Sequence, residues 1–112
     1  MKHLCLEMAR LALNKVREIQ QLDESKRKEY LTLARKLGSM IIQNGLIGTV
    51  IFLKKKDSVI LTHLEDMVRQ QTQVNISEPM QILDKDYFRI QIVALEVSKW
   101  LKRYAEILLG GD

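Results

Sequence analysis

Met40-Ile41-Ile42-Gln43-Asn44-Gly45-Leu46-Ile47-Gly48-Thr49-Val50-Ile51-Phe52-Leu53 is the stretch whose reading decides the fold. Its apolar residues point all around a helix axis, and a helix apolar on every side belongs in the middle of its domain. The β-branched residues could suggest a strand, but the run is too long and lacks a period of two. The expectation is a central buried helix over about Ser39 to Leu53. Gly45 and Gly48 each cost such a helix about 1 kcal/mol relative to alanine, a loss that close approach of a neighbouring helix can offset. Lys54, Lys55 and Lys56 follow, where positive charge suits the negative end of the helix dipole.

Working outward, Gly38 reads as the left-handed residue that closes a preceding helix. That helix, about Lys26 to Leu37, buries Tyr30, Leu33, Ala34 and Leu37 and carries Lys26, Arg27, Lys28, Arg35 and Lys36 on its other face. Asp23-Glu24-Ser25 supplies the break and a capping group before it. A first helix runs from about Lys2 to Leu22, with Leu4, Met8, Leu11, Lys15, Ile19 and Leu22 forming one stripe. The Lys15 stem can still cover apolar surface within it.

Beyond the central stretch, Asp57-Ser58 marks a turn, and a fourth helix continues to about Gln73 through Val59 or Ile60, Leu64, Met67 and Val68. The connection Thr72 to Asp86 holds the sole proline, Pro79, and Met80, Ile82 and Leu83 could form a short helical lid. Asp84 or Asp86 caps a closing helix, Tyr87 to Leu109, with the stripe Tyr87, Ile90, Ala94, Val97, Leu101, Ala105 and Leu108. The fold class is therefore all-α. A single bundle of five to six helices surrounds a central apolar helix, and one domain spans residues 1–112 without a linker.

Composition narrows the function. At 46% apolar and 29% charged the chain is globular rather than disordered. One cysteine, Cys5, excludes an internal disulfide and fits a reducing cytosol. No targeting segment is legible, and the expected location is cytoplasmic, away from membranes. No metal is expected, since His3 and Cys5 lack further ligands and His63 has no partner at i+4. Glu65-Asp66 diverge on a helix, and Asp84 with Asp86 suits a helix start better than acid–base work. Gly45-Leu46-Ile47-Gly48 lacks the strand and Lys-Ser/Thr of a phosphate loop. The expectation is no enzyme, no cofactor and no small-molecule substrate.

The cations carry the functional signal. Residues 1–56 hold 12 Lys/Arg against 5 Asp/Glu, a balance of +7, whereas residues 57–112 hold 6 against 9, a balance of −3. A basic half attracts polyanions, and Lys and Arg bind phosphates without regard to sequence. The tyrosines, phenylalanines and Trp100 fall mostly on apolar stripes, so no aromatic ladder for base stacking is expected.

Tyr30-Leu31-Thr32-Leu33-Ala34-Arg35-Lys36-Leu37-Gly38, then Ile41-Ile42-Gln43-Asn44-Gly45-Leu46 and Thr49-Val50-Ile51-Phe52-Leu53, resembles the central signature of the small subunit of the type III-B CRISPR–Cas (Cmr) effector. Asp86-Tyr87, Ala94-Leu95 and Trp100-Leu101-Lys102-Arg103-Tyr104-Ala105 resemble the closing helix of that family. The sequence departs from it at Gly38, where the family often has proline, and at Gly48, where it often has glutamine. The resemblance implies a non-catalytic helical subunit in antiviral defence. Such a module stacks in several copies beside RAMP-family backbone proteins and helps line the groove that holds guide and target RNA. Arg35, Lys36, Lys54, Lys55, Lys99, Lys102 and Arg103 are the candidate RNA-binding residues.

Two other readings stand beside it. One is a helical protein–protein adaptor whose cations only solubilise it. The other is a helix-turn-helix DNA-binding regulator with Leu37-Gly38-Ser39 as the turn. Its recognition helix would be Ser39 to Leu53, which offers few polar side chains to base edges.

Overall fold

Four long helices and one short turn make up the chain in a computed structural model that describes residues 2–110, with side chains over 6–110. They are α1 (Lys2–Gln20), α2 (Glu24–Lys55), α3 (Val59–Thr72), a 3₁₀ turn (Pro79–Gln81) and α4 (Asp84–Leu109). The all-α expectation holds, and no strand occurs among the described residues. The side chains of His3, Leu4 and Cys5 lie outside them.

The decisive stretch behaves differently from its reading. α2 passes through Leu37-Gly38-Ser39 as unbroken helix. The backbone instead breaks at Gly45, with φ 76° and ψ 166°, a conformation essentially restricted to glycine. Counted by backbone breaks the described residues still form five helical segments, but the second boundary lies seven residues later than expected. Without a turn at Gly38, the helix-turn-helix reading has no motif to rest on.

Tertiary contacts explain the shift. A break at Gly45 frees the first N–H groups of the next helical limb, which need acceptors from elsewhere. α4 provides them: Leu46 N donates to Gln91 Oε1 at 2.9 Å, and Ile47 N donates to Tyr87 Oη at 3.1 Å. Thr49 Oγ1 donates to the Gly45 carbonyl at 2.9 Å and closes the turn locally. A Cβ at Gly45 would stand 3.3 Å from Tyr87 Oη. Gly38 is where a neighbouring helix comes close, because a Cβ there would meet Ser98 Oγ of α4 at 3.2 Å. The two glycines thus exchange the roles expected of them. Gly48 faces only its own helix, with Asn44 Cβ at 3.3 Å.

The central position also moves. α2 buries Leu37, Ile41, Leu46, Val50 and Leu53, but leaves Ile42 72%, Ile51 47% and Phe52 42% exposed. One side of the Met40–Leu53 stretch therefore lies at the surface. The inner helix is α4, which packs against α1, α2 and α3 through the fully buried Ile90, Ala94, Val97, Leu101 and Ala105. By length and composition α2 could cross a bilayer, with an 18-residue window of mean hydropathy 1.4. The Gly45 break divides α2 into residues 24–44, which carry Lys26, Arg27, Lys28, Glu29, Arg35 and Lys36, and residues 46–55, which reach about 15 Å of the roughly 30 Å required.

The remaining elements follow their sequence with local corrections. On α1, Met8, Ala12, Val16 and Ile19 are buried. Lys15 lies on the flank with its stem largely covered and its Nζ 3.2 Å from Asp66. Asp23 caps α2, its Oδ1 accepting from Lys26 N at 2.9 Å. Ser58 precedes α3 but makes no side-chain cap; its hydroxyl donates to the Leu53 carbonyl at 3.2 Å. α4 starts after Leu83, with Asp84 and Asp86 in its first turn rather than at the cap, where their charge still favours the dipole. The expected lid is differently composed: Ile76 and Pro79 are buried, while Met80 and Leu83 are 77% and 59% exposed.

Candidate nucleic-acid interface

A cation can contact phosphate only if it is exposed and not already held by a carboxylate. All seven candidate residues are exposed. Three are held: Arg35 Nε by Glu106 at 3.2 Å, Lys54 Nζ by Glu78 at 3.5 Å, and Lys99 Nζ by Glu96 at 3.3 Å. Such surface pairs are worth only about 0.2–1 kcal/mol, so a polyanion can displace them at small cost. Lys36, Lys55, Lys102 and Arg103 have no acidic partner among the described residues.

The seven do not form one cluster. Lys99, Lys102 and Arg103 recur at three- and four-residue steps along the outer side of α4, where helical neighbours align. Arg103 holds its guanidinium 4.9 Å from the Trp100 ring centroid. The Trp100 ring stacks on Tyr104 and packs against the core, as expected of a core residue. Arg35 turns to α4 through Glu106, whereas Lys36, one residue on, faces the second limb of α2.

That second orientation forms a site the sequence reading did not select. After Gly45 the second limb folds back toward the first, bringing Phe52 and Lys56 opposite Lys28, Lys36 and Met40 across a hollow of about 330 Å³. Lys28, Thr32 and Lys36 share one face at four-residue spacing, and Phe52 and Lys56 share another. These spacings were visible in the sequence, but without the Gly45 break nothing placed the two faces together. Both phenylalanines, expected on apolar stripes, are exposed: Phe52 by 42% and Phe88 by 71%.

His63 belongs to the interior. It is buried, and its Nδ1 lies 2.7 Å from Tyr30 Oη, with Glu18 Oε1 3.8 Å from Nε2. Burial first, then the Lys15 charge, lowers its pKa from 6.5 to about 4, against a smaller opposing effect of Asp66. Burial, reinforced by Glu18, raises the Tyr30 hydroxyl well above its ordinary value. At neutral pH both are uncharged, and the bond between them satisfies two polar groups inside the core. No cluster of three metal-ligating side chains occurs among the described residues.

Comparison with known proteins adds to this geometry. The sequence profile for CRISPR-associated protein (Cas_Cmr5) matches residues 5–108. A protein of Thermotoga maritima described as CRISPR system Cmr subunit Cmr5 is 47% identical over 118 aligned positions, covering 100% of this chain and 89% of the relative. No solved structure gives a significant match.

Proposed function

The chain belongs to the Cmr5 family of CRISPR-associated proteins, and from that premise we propose that it binds RNA as a non-catalytic small subunit of a Cmr ribonucleoprotein effector. In this reading it stacks with copies of itself beside RAMP-family backbone proteins and lines the groove for guide and target RNA. One observation carries the RNA contact: Lys36, Lys55, Lys102 and Arg103 are exposed and free of acidic partners among the described residues. Arg35, Lys54 and Lys99 join them when RNA phosphates replace Glu106, Glu78 and Glu96. The contact is with the phosphate backbone and therefore independent of sequence.

An adaptor function draws support from a different observation, the exposure of Ile42, Met80 and Phe88 at 72%, 77% and 71%. Large apolar residues exposed in this way suit contact with another protein. Salt dependence separates the two readings. If about five phosphates are neutralised, log affinity for single-stranded RNA falls against log salt with a slope near −3.5. An affinity too weak to detect at low salt, for the chain alone and within its complex, leaves only the adaptor.

A further inference from the structure

We propose that the hollow between the two limbs of α2 is a nucleotide pocket, taking one unstacked base of single-stranded RNA and its flanking phosphates. This rests on the RNA-binding reading above and adds to it a site with its own chemistry. Lys28, Lys36 and Lys56 stand around the hollow, and Met40 and Phe52 supply its apolar surface. At about 330 Å³ it lies within the size range of small-ligand clefts.

The charge balance selects an anion. Among the lining residues three lysines face one carboxylate, Glu29. Lys28 is paired only with Glu24 one turn away, at 3.4 Å and with both side chains more than 70% exposed, an arrangement that solvent largely screens. Lys36 and Lys56 have no carboxylate partner among the described residues. An acidic peptide would satisfy these ammonium groups equally well, but it would leave the ring of Phe52 unused. A nucleotide matches both features. Its base has a face for the aromatic ring, a contact worth about fivefold or more in affinity per base in single-strand binders, and its phosphates meet the lysines. Lys56 Nζ stands over one face of the Phe52 ring, 5.3 Å from its centroid, so a base stacking on that face displaces the ammonium toward its own phosphate.

The hinge makes the pocket specific to the folded chain. Phe52 and Lys56 reach Lys36 only because the backbone reverses at Gly45 and α4 holds the reversal through Tyr87 and Gln91. Glu29 lines the same hollow and offers an acceptor to base amino groups or a ribose hydroxyl.

The test is fluorescence anisotropy of a labelled oligouridylate with the full chain at low salt. Phe52→Leu keeps an apolar side chain and should weaken binding about fivefold or more, the lower end of the stacking range. Phe52→Tyr should restore it. Melting should be unchanged in both, because the ring is 42% exposed. Neutralising Lys36 and Lys56 to Gln should make the salt slope shallower by about 1.4, at about 0.7 per phosphate. An abasic oligonucleotide of equal length should bind both Phe52 variants equally. If Phe52→Leu binds like the parent chain while Lys102→Gln with Arg103→Gln binds more weakly, the pocket is overturned and the RNA-binding reading survives. If the parent chain fails to bind RNA, both are overturned. Should a polyglutamate peptide bind with the same dependence on Phe52, the occupant is a peptide and the nucleotide assignment is overturned.

Discussion

Replacing Gly45 by alanine tests the hinge from which both the fold and the α2 hollow derive. At φ 76° and ψ 166° an L-residue carries about 1–3 kcal/mol of backbone strain. The new methyl would also stand 3.3 Å from Tyr87 Oη, close enough that the tyrosine must give by a few tenths of an ångström, which weakens its bond with Ile47 N. Weakening of that bond adds up to about 1 kcal/mol, giving a total of roughly 1–4 kcal/mol. For a chain of this size each kcal/mol lowers the melting temperature by about 4–8 °C, so the variant should melt at least about 4 °C lower. The neighbouring glycines are the controls. Gly48→Ala has no positive φ to oppose it and gains helix propensity of up to about 1 kcal/mol, but its methyl must ease Asn44 Cβ aside from 3.3 Å, so it should be close to neutral. Gly38→Ala gains the same propensity but must displace Ser98 Oγ at 3.2 Å, so it should fall between the other two. Thermal and urea unfolding followed by circular dichroism at 222 nm gives the order. If Gly45→Ala melts with the parent chain and Gly38→Ala is the damaging change, the break has been placed at the wrong glycine.

Other consequences follow from individual contacts. Tyr87→Phe removes the acceptor of Ile47 N and should cost about 1–3 kcal/mol in urea unfolding; no change would mean that water replaces the hydroxyl without loss. Asp23→Ala removes the α2 cap and should cost about 1 kcal/mol, measured in the same way. Stability should fall as the pH drops from 6.5 toward 4, because His63 stays neutral in the folded state down to about 4 while the unfolded chain takes up its proton at the ordinary value. Over that window the loss attributable to His63 amounts to roughly 3 kcal/mol. Removing the imidazole by His63→Gln should flatten the dependence, and an unchanged slope would contradict it.

The all-helical class was legible because each stripe is local. Ile90, Ala94, Val97, Leu101 and Ala105 announce the buried face of α4 in sequence, and all are fully buried. The α2 cap was legible to within Asp23-Glu24-Ser25, of which Asp23 is the residue that caps, so that the helix starts at Glu24, two residues ahead of the expected Lys26. The helix break was not legible. Gly38 sits before Ser39 where a helix end is plausible, whereas Gly45 lies inside an apolar run. The choice between them rests on Tyr87 and Gln91, which are more than 40 residues from Gly45 and supply acceptors only at the actual break. Apolar content also overstated burial around Met40–Leu53, because periodicity cannot tell a core residue such as Ile41 from a surface one such as Ile42. For the candidate interface, exposure of the seven cations was readable from helix phase. Their pairing was less so: Arg35 is bound to Glu106 and Lys54 to Glu78 across elements, and Lys56 comes to Lys28 and Lys36 only through the hinge.

The claim that exposed cations without carboxylate partners hold the RNA is tested most directly by comparing two sets of neutralised variants. One set changes Lys36, Lys102 and Arg103 to Gln, and the other changes Arg35, Lys54 and Lys99. With single-stranded RNA, each lost phosphate contact should reduce the salt slope by about 0.7. The first set should therefore lose about 2 units of slope and most of its affinity, and the second should lose less of both. Equal affinity and slope for the first set and the parent chain would contradict the account.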